Sequence, residues 1–132
     1  GQNETLRVAL DMTEEWDKAT DGASGLTMGC VVVRTEFAQQ NKEALDLFLD
    51  EYERSVQTVT SAEGLEHAAQ LAEQYNIVKA PVARKAIPAC NIVFVQGEQM
   101  QQIAGGFLEV LYQANPKSVG GKLPDANFYY NR

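Results

Sequence analysis

The chain has 132 residues, of which 45% are hydrophobic, and a formal net charge of −7 from 18 acidic against 11 basic residues. That length supports a core for one folded unit and is too short for two domains of ordinary size. The acidic balance repels phosphate backbones and anionic membrane surfaces, which argues against nucleic acid as a partner.

In chain order, Leu6 to Met12 (LRVALDM) is a short apolar segment with the character of a strand, and Thr13 to Ser24 (TEEWDKATDGAS) is polar and turn-rich. Met28 to Val33 follows as a nearly continuous apolar run. Its three consecutive valines suit a pleated surface and lose rotamer freedom in a helix, so it is expected as a strand covered on both sides. Asn41 is placed to cap the next helix. Within it Leu45, Phe48, Leu49, Tyr52, Val56 and Val59 recur on one face of a 3.6-residue period, opposite Asp46, Asp50, Glu53 and Arg54.

Thr60 with Glu63 forms a possible capping box opening a second helix, whose apolar face is Leu65, Ala68, Ala69, Ala72 and Tyr75. Asn76 suits a left-handed stop. Pro81 opens a third, short helix bearing Val82, Ala83, Ala86 and Ile87, and Pro88 ends it. Ile92 to Val95 (IVFV) reads as a second buried strand or an extended link. The last helix is predicted from about Glu98 to Asn115, with Pro116 beyond it. Gly105 and Gly106 in its middle are expected to permit close packing or a bend. In the tail, Phe128, Tyr129 and Tyr130 are expected to pin the terminus to the body.

No motif here carries a reaction. The single His67 falls off the apolar helix face, so it completes no hydrolytic triad and no Cys/His metal set. Glu14, Glu15 and Asp17 read as solvated carboxylates. Gly120-Gly121-Lys122 lacks the strand–GxxxxGK[ST]–helix context of a phosphate loop and reads as a turn. Cys30 and Cys90 have no metal spacing and are expected as two buried thiols in preference to a disulfide, which would form only if their strands were adjacent. Trp16 reads first as a packing residue, although a loop aromatic beside a strand end is also where open α/β proteins hold ligands. No metal and no cofactor is expected.

There is no run of roughly 20 apolar residues to span a bilayer and no basic-then-apolar secretion signal. Gly1 stands where a starting Met would, and is read as an expression scar or a processing product, with the natural protein beginning upstream.

LRVALDMTEEWDK, MGCVVVRTEFAQQN with KEALDLFLDEY, KAIPACNIVFVQGEQM and LYQANPKSVGGKLPDANFYYNR together resemble the C-terminal part of a bacterial ABC-transporter substrate-binding protein. The branch resembled groups nitrate, taurine and thiamine-pyrimidine-precursor binders. The ending Ala114 to Tyr130 is the more specific match, and Val31 to Asn41 recurs more widely.

The resemblance implies an α/β fold: an incomplete type II periplasmic-binding lobe, helix-rich with few strands. Residues 1–27 would form the end of the second lobe and the crossing, and residues 28–132 the return to the first. It further implies a non-catalytic solute binder that captures a small organic molecule by lobe closure. The intact protein would be extracytoplasmic and lipid-anchored, with an ABC permease as partner. Trp16, Met28, Cys30 and Asn91 are the candidate residues near the cleft, which would lie largely in the part before Gly1. Unpaired sheet edges would invite self-association. The rival readings are a stand-alone interaction or sensor domain on the same fold, and an enzyme of thiamine-pyrimidine synthesis. The enzyme would need a cofactor lysine, a reactive histidine and a cysteine-rich motif.

Overall fold

The computed structural model describes residues 7–132, of which 63% are helical, with no strand among the described residues. The helix-rich expectation therefore holds. The chain divides into two compact units, one formed by residues 1–31 with 95–132 and the other by residues 32–94. Both residues flanking the expected 27/28 boundary lie in the first unit.

In the first unit, helix α1 spans Met12–Thr20. A polar loop was expected there. The helix forms because Asp11 accepts hydrogen bonds from the backbone N–H groups of Thr13 and Glu14, and Glu14 and Glu15 place negative charge at the positive end of the helix dipole. Asp21 takes the left-handed conformation that ends it.

The long helix of this unit, designated α6 because four helices precede it in the second unit, spans Gly97–Ala114. The Trp16 ring rests on Phe107 at 5.1 Å between centroids, and the Trp16 indole N–H donates to the Ser24 carbonyl at 2.9 Å. A Cβ added at Gly106 would lie 3.6 Å from Ser24, and one at Gly105 would lie 3.5 Å from the Tyr129 hydroxyl. The two glycines thus let the Ser24 loop and the C-terminal tail approach the helix, as their sequence position suggests. Tyr129 and Tyr130 are half-buried while Phe128 is exposed, so the two tyrosines hold the tail and Phe128 does not.

The second unit is a helical stack of α2 (Thr35–Gln40), α3 (Lys42–Thr60), α4 (Leu65–Gln74) and α5 (Ala80–Ala86). Asn41 sits at the start of α3 without a side-chain cap bond. Its side-chain amide instead donates to the Phe37 carbonyl, closing the end of α2. The expected capping box is also displaced: α3 runs through Thr60, and Ser61 supplies the oxygen that accepts from the Gly64 N–H at 2.9 Å. Asn76 is left-handed, as a helix stop requires, and Pro81 lies in the first turn of α5.

The core of this unit is built from small side chains. Ala69 is 0% exposed and clusters with Ala80 and Ala83, with Ala72 and Ile87 packed against them. Alanine at these positions lets α4 and α5 approach closely. On α3, Leu45 and Val56 are buried, whereas Phe48 and Tyr52 of the same predicted face are not. Those two rings stack at 5.9 Å, and Tyr52 meets Phe94 edge-on at 5.8 Å.

The largest departure concerns the strands. Residues 25–34 run as open chain without helix, turn or bend, and none pairs with a strand among the described residues; residues 91–96 are open chain as well, which fits the extended link that was the alternative for Ile92 to Val95. Met28 is 90% exposed and Val32 79%, so the expected burial of Met28–Val33 does not occur. A β ladder is a property of two segments, and no second segment is present among the described residues to complete it. Cys30 and Cys90 follow suit: both are exposed free thiols, where buried ones were expected. For Leu6 to Met12, Leu6 lies outside the described residues, Arg7 to Asp11 are open chain, and Met12 begins α1.

Candidate functional site

The four residues singled out from the sequence are placed as follows. Trp16 commits both its ring and its N–H to holding α1 and the Ser24 loop on α6. Met28 and Cys30 lie exposed on the open run of the first unit. Asn91 belongs to the second unit, where its backbone is left-handed at φ 50° and it borders a hollow.

That hollow has a volume of about 420 Å³ and lies between the end of α3, the start of α4 and the tight turn Ile87–Ala89. Val59, Leu65, Ile87, Pro88 and Ile92 make its walls apolar, and Thr60, Ser61 and Asn91 supply polar groups. The two hydroxyls are already committed to backbone. Thr60 donates to the Val56 carbonyl at 2.8 Å, and Ser61 donates to the Thr58 carbonyl at 2.9 Å while accepting from Gly64. Neither hydroxyl meets a histidine or carboxylate base in these bonds, so neither is arranged as an activated nucleophile. Such a surface can hold an apolar group of modest size; sequence reasoning found only Asn91 of its members. The other residues carried helix-face or turn signals, and nothing in their spacing marked a concavity.

Charge in this unit is used for helix assembly. Arg84 on α5 forms a two-pronged ion pair with Glu66 on α4, at 2.6 and 2.7 Å. The Arg84 hydrogen bond, followed by that of Gln70, lowers the Glu66 carboxyl below its ordinary range, and Glu66 in turn raises Arg84. Glu73 is likewise lowered, first by Lys79 and then by the Ala80 N–H, which it anchors at the start of α5. A carboxylate with a depressed folded-state value stabilises the fold above the ordinary glutamate range and loses that contribution as pH falls through the depressed value. Acid is therefore expected to loosen the α4–α5 pair. In a carbon-detected NMR titration, Glu66 should titrate below an ordinary glutamate, and R84M should raise it towards the ordinary range, leaving only the smaller lowering by Gln70. An unchanged midpoint in R84M would remove this assignment.

Glu14, Glu15 and Asp17 lie on α1 rather than in a loop, and Glu15 pairs with Lys18 at 2.7 Å. Among the described residues no three His, Cys, Asp or Glu side chains gather as a metal site, and no helix is long and apolar enough to cross a membrane. His67 is exposed on α4. No family model matches this chain, and neither the curated proteins nor the solved structures contain a match to it.

Proposed function

We propose that this chain is the C-terminal part of the solute-binding component of a bacterial ABC importer. In this reading the intact protein is extracytoplasmic and membrane-anchored. It captures a small organic molecule, such as a thiamine pyrimidine precursor or a sulfonate, and delivers it to a permease. The mechanism is lobe closure without covalent chemistry: the ligand binds the closed state better than the open one and shifts the population by that difference.

One observation supports the reading beyond the sequence resemblance. The chain passes between its two compact units twice, at Val31–Val32 and at Phe94–Val95, and both passages fall in open, unbent backbone. A unit inserted into another through two such connections is the covalent arrangement that hinge bending uses. The stand-alone interaction domain draws instead on the exposed Tyr75, Ile77 and Val82 around the α4–α5 link.

The expected result is ligand-linked stabilisation. For the protein as isolated from its host, a true ligand at one hundred times its Kd adds about 2.7 kcal/mol to the unfolding free energy. Thermal denaturation against pyrimidines, sulfonates and nitrate reads this directly. A melting temperature unmoved by every class would count against a solute binder and leave the interaction domain ahead.

A further inference from the structure

Asp21 and Gly22 form the only Asp-Gly step of the chain, and the sequence contains no Asn-Gly. They stand at the end of α1 in the first unit, both exposed and both at positive φ, 50° and 70°. A Cβ placed on Gly22 would meet nothing within 4 Å, so no neighbouring side chain shields this peptide bond. An aspartate carboxyl carbon lies within reach of the next main-chain nitrogen for closing a five-membered ring, and a glycine there adds no side chain to obstruct the approach. We propose that Asp21-Gly22 is a self-modification site, at which Asp21 converts to isoaspartate when the end of α1 opens.

The lone pair of the Gly22 nitrogen attacks Cγ of Asp21. The new C–N bond replaces the C–O bond to the carboxyl hydroxyl, which leaves as water with the Gly22 amide proton, and a cyclic imide remains. Water then reopens the ring. Addition at Cγ restores aspartate, whereas addition at the main-chain carbonyl of Asp21 carries the backbone through the side chain and gives isoaspartate. Only water leaves and enters, so the mass is unchanged. The closed helix end holds this chemistry back. The N–H groups of Asp21 and Gly22 both donate to the Asp17 carbonyl, the second at 2.9 Å, and Ala23 donates to the Thr20 carbonyl at 2.9 Å. Attack requires the Gly22 nitrogen to turn its face to Cγ, which rotates Asp21 out of the left-handed conformation that caps α1. The cap must therefore open first. Trp16 resists that opening, because its N–H holds the Ser24 carbonyl beyond the turn while its ring rests on Phe107. Ser24 is itself buried, beside Gly106. Isoaspartate adds a methylene to the main chain between these anchored points, so the seat of Ser24 is lost with the cap.

The site rests on the end of α1 alone and is independent of the transport reading. It is tested by prolonged incubation of the folded protein near neutral pH, with isoaspartate located by peptide mapping after labelling with an isoaspartate-specific methyltransferase. Isoaspartate should accumulate at Asp21 and at no other aspartate. It should form at least about tenfold more slowly than in the free peptide Asp17–Gly25, because the two N–H bonds to Asp17 must break before the ring closes. W16A should move the rate towards that of the peptide, whereas S61A, in the second unit, should leave it at the parental value. Should W16A lose its helix content, D11A, which removes only the N-cap of α1, takes its place in the comparison. D21S should yield no label in this turn. Trp16 is the only tryptophan of the chain, so the converted protein, once separated, should emit at longer wavelength as the ring leaves Phe107. A folded protein that never converts, or a peptide that forms no isoaspartate at Asp21, overturns the site. A folded protein that converts as fast as the peptide, or a loosened α1 variant that converts no faster than the parent, overturns the gate. Unshifted tryptophan emission in the converted protein overturns the link to α1 docking.

Discussion

Gly64→Ala is expected to cost about 2–4 kcal/mol, as overpacking against an unyielding neighbour does. Gly64 precedes α4 with an ordinary right-handed backbone, so conformational freedom is not the issue. The constraint is space. A Cβ there would overlap the Thr58 backbone carbonyl at the end of α3 and lie 2.9 Å from the Ser61 hydroxyl. The carbonyl belongs to the helix, so it cannot rotate aside as a side chain could. The α3–α4 corner must open, and the hydrogen bond from the Gly64 N–H to Ser61 is lost with it. Urea denaturation followed by far-UV circular dichroism measures the effect. S61A should cost only about 1 kcal/mol, the worth of a cap, because it removes the acceptor without adding an atom. Equal losses in the two variants would show that the cap, and not the close approach, governs this corner.

Trp16→Ala is expected to destabilise the first unit by about 2–4 kcal/mol, shifted down from the range of about 3–5 kcal/mol for a fully buried aromatic because the ring is half-exposed. The ring contact with Phe107 and the hydrogen bond to the Ser24 carbonyl together attach α1 and its following loop to α6. W16F separates the two contributions. It keeps a ring against Phe107 and should lose about 1 kcal/mol, the net value of one hydrogen bond. Thr20 also approaches the Ser24 carbonyl, at 3.4 Å, and limits that loss. Should W16A prove as stable as the parent, Trp16 would be released from its packing role and would return as a ligand-contact candidate.

The helices were legible where the sequence carries local chemistry. Asn76 and Pro81 act within one turn of themselves, so the end of α4 and the start of α5 appeared at their observed places. The paired glycines of α6 were legible as a close approach, although the sequence could not say that Ser24 and Tyr129 are what approach. Caps were less secure. Asn41 and Ser61 each stand between two helices, and a side chain in that position can serve either one; Asn41 serves the helix before it. Helix α1 was missed because its acidic residues were read as loop polarity, when they follow Asp11 in the order that a helix start favours.

Met28–Val33 was read correctly as an apolar run and wrongly as a buried strand, because composition marks a capacity to pair and burial requires the partner itself. The candidate site was legible only through family resemblance. Trp16, Met28, Cys30 and Asn91 have no common spacing that would bring them together, and the hollow beside Asn91 depends on how three turns pack.

The most direct test of the transport reading is native mass spectrometry of the protein purified gently from its host. The account predicts a complex heavier than the polypeptide by the mass of one small organic molecule, released on activation and rebound when supplied. A protein that carries nothing, and takes up no pyrimidine, sulfonate or nitrate when offered them, would contradict it.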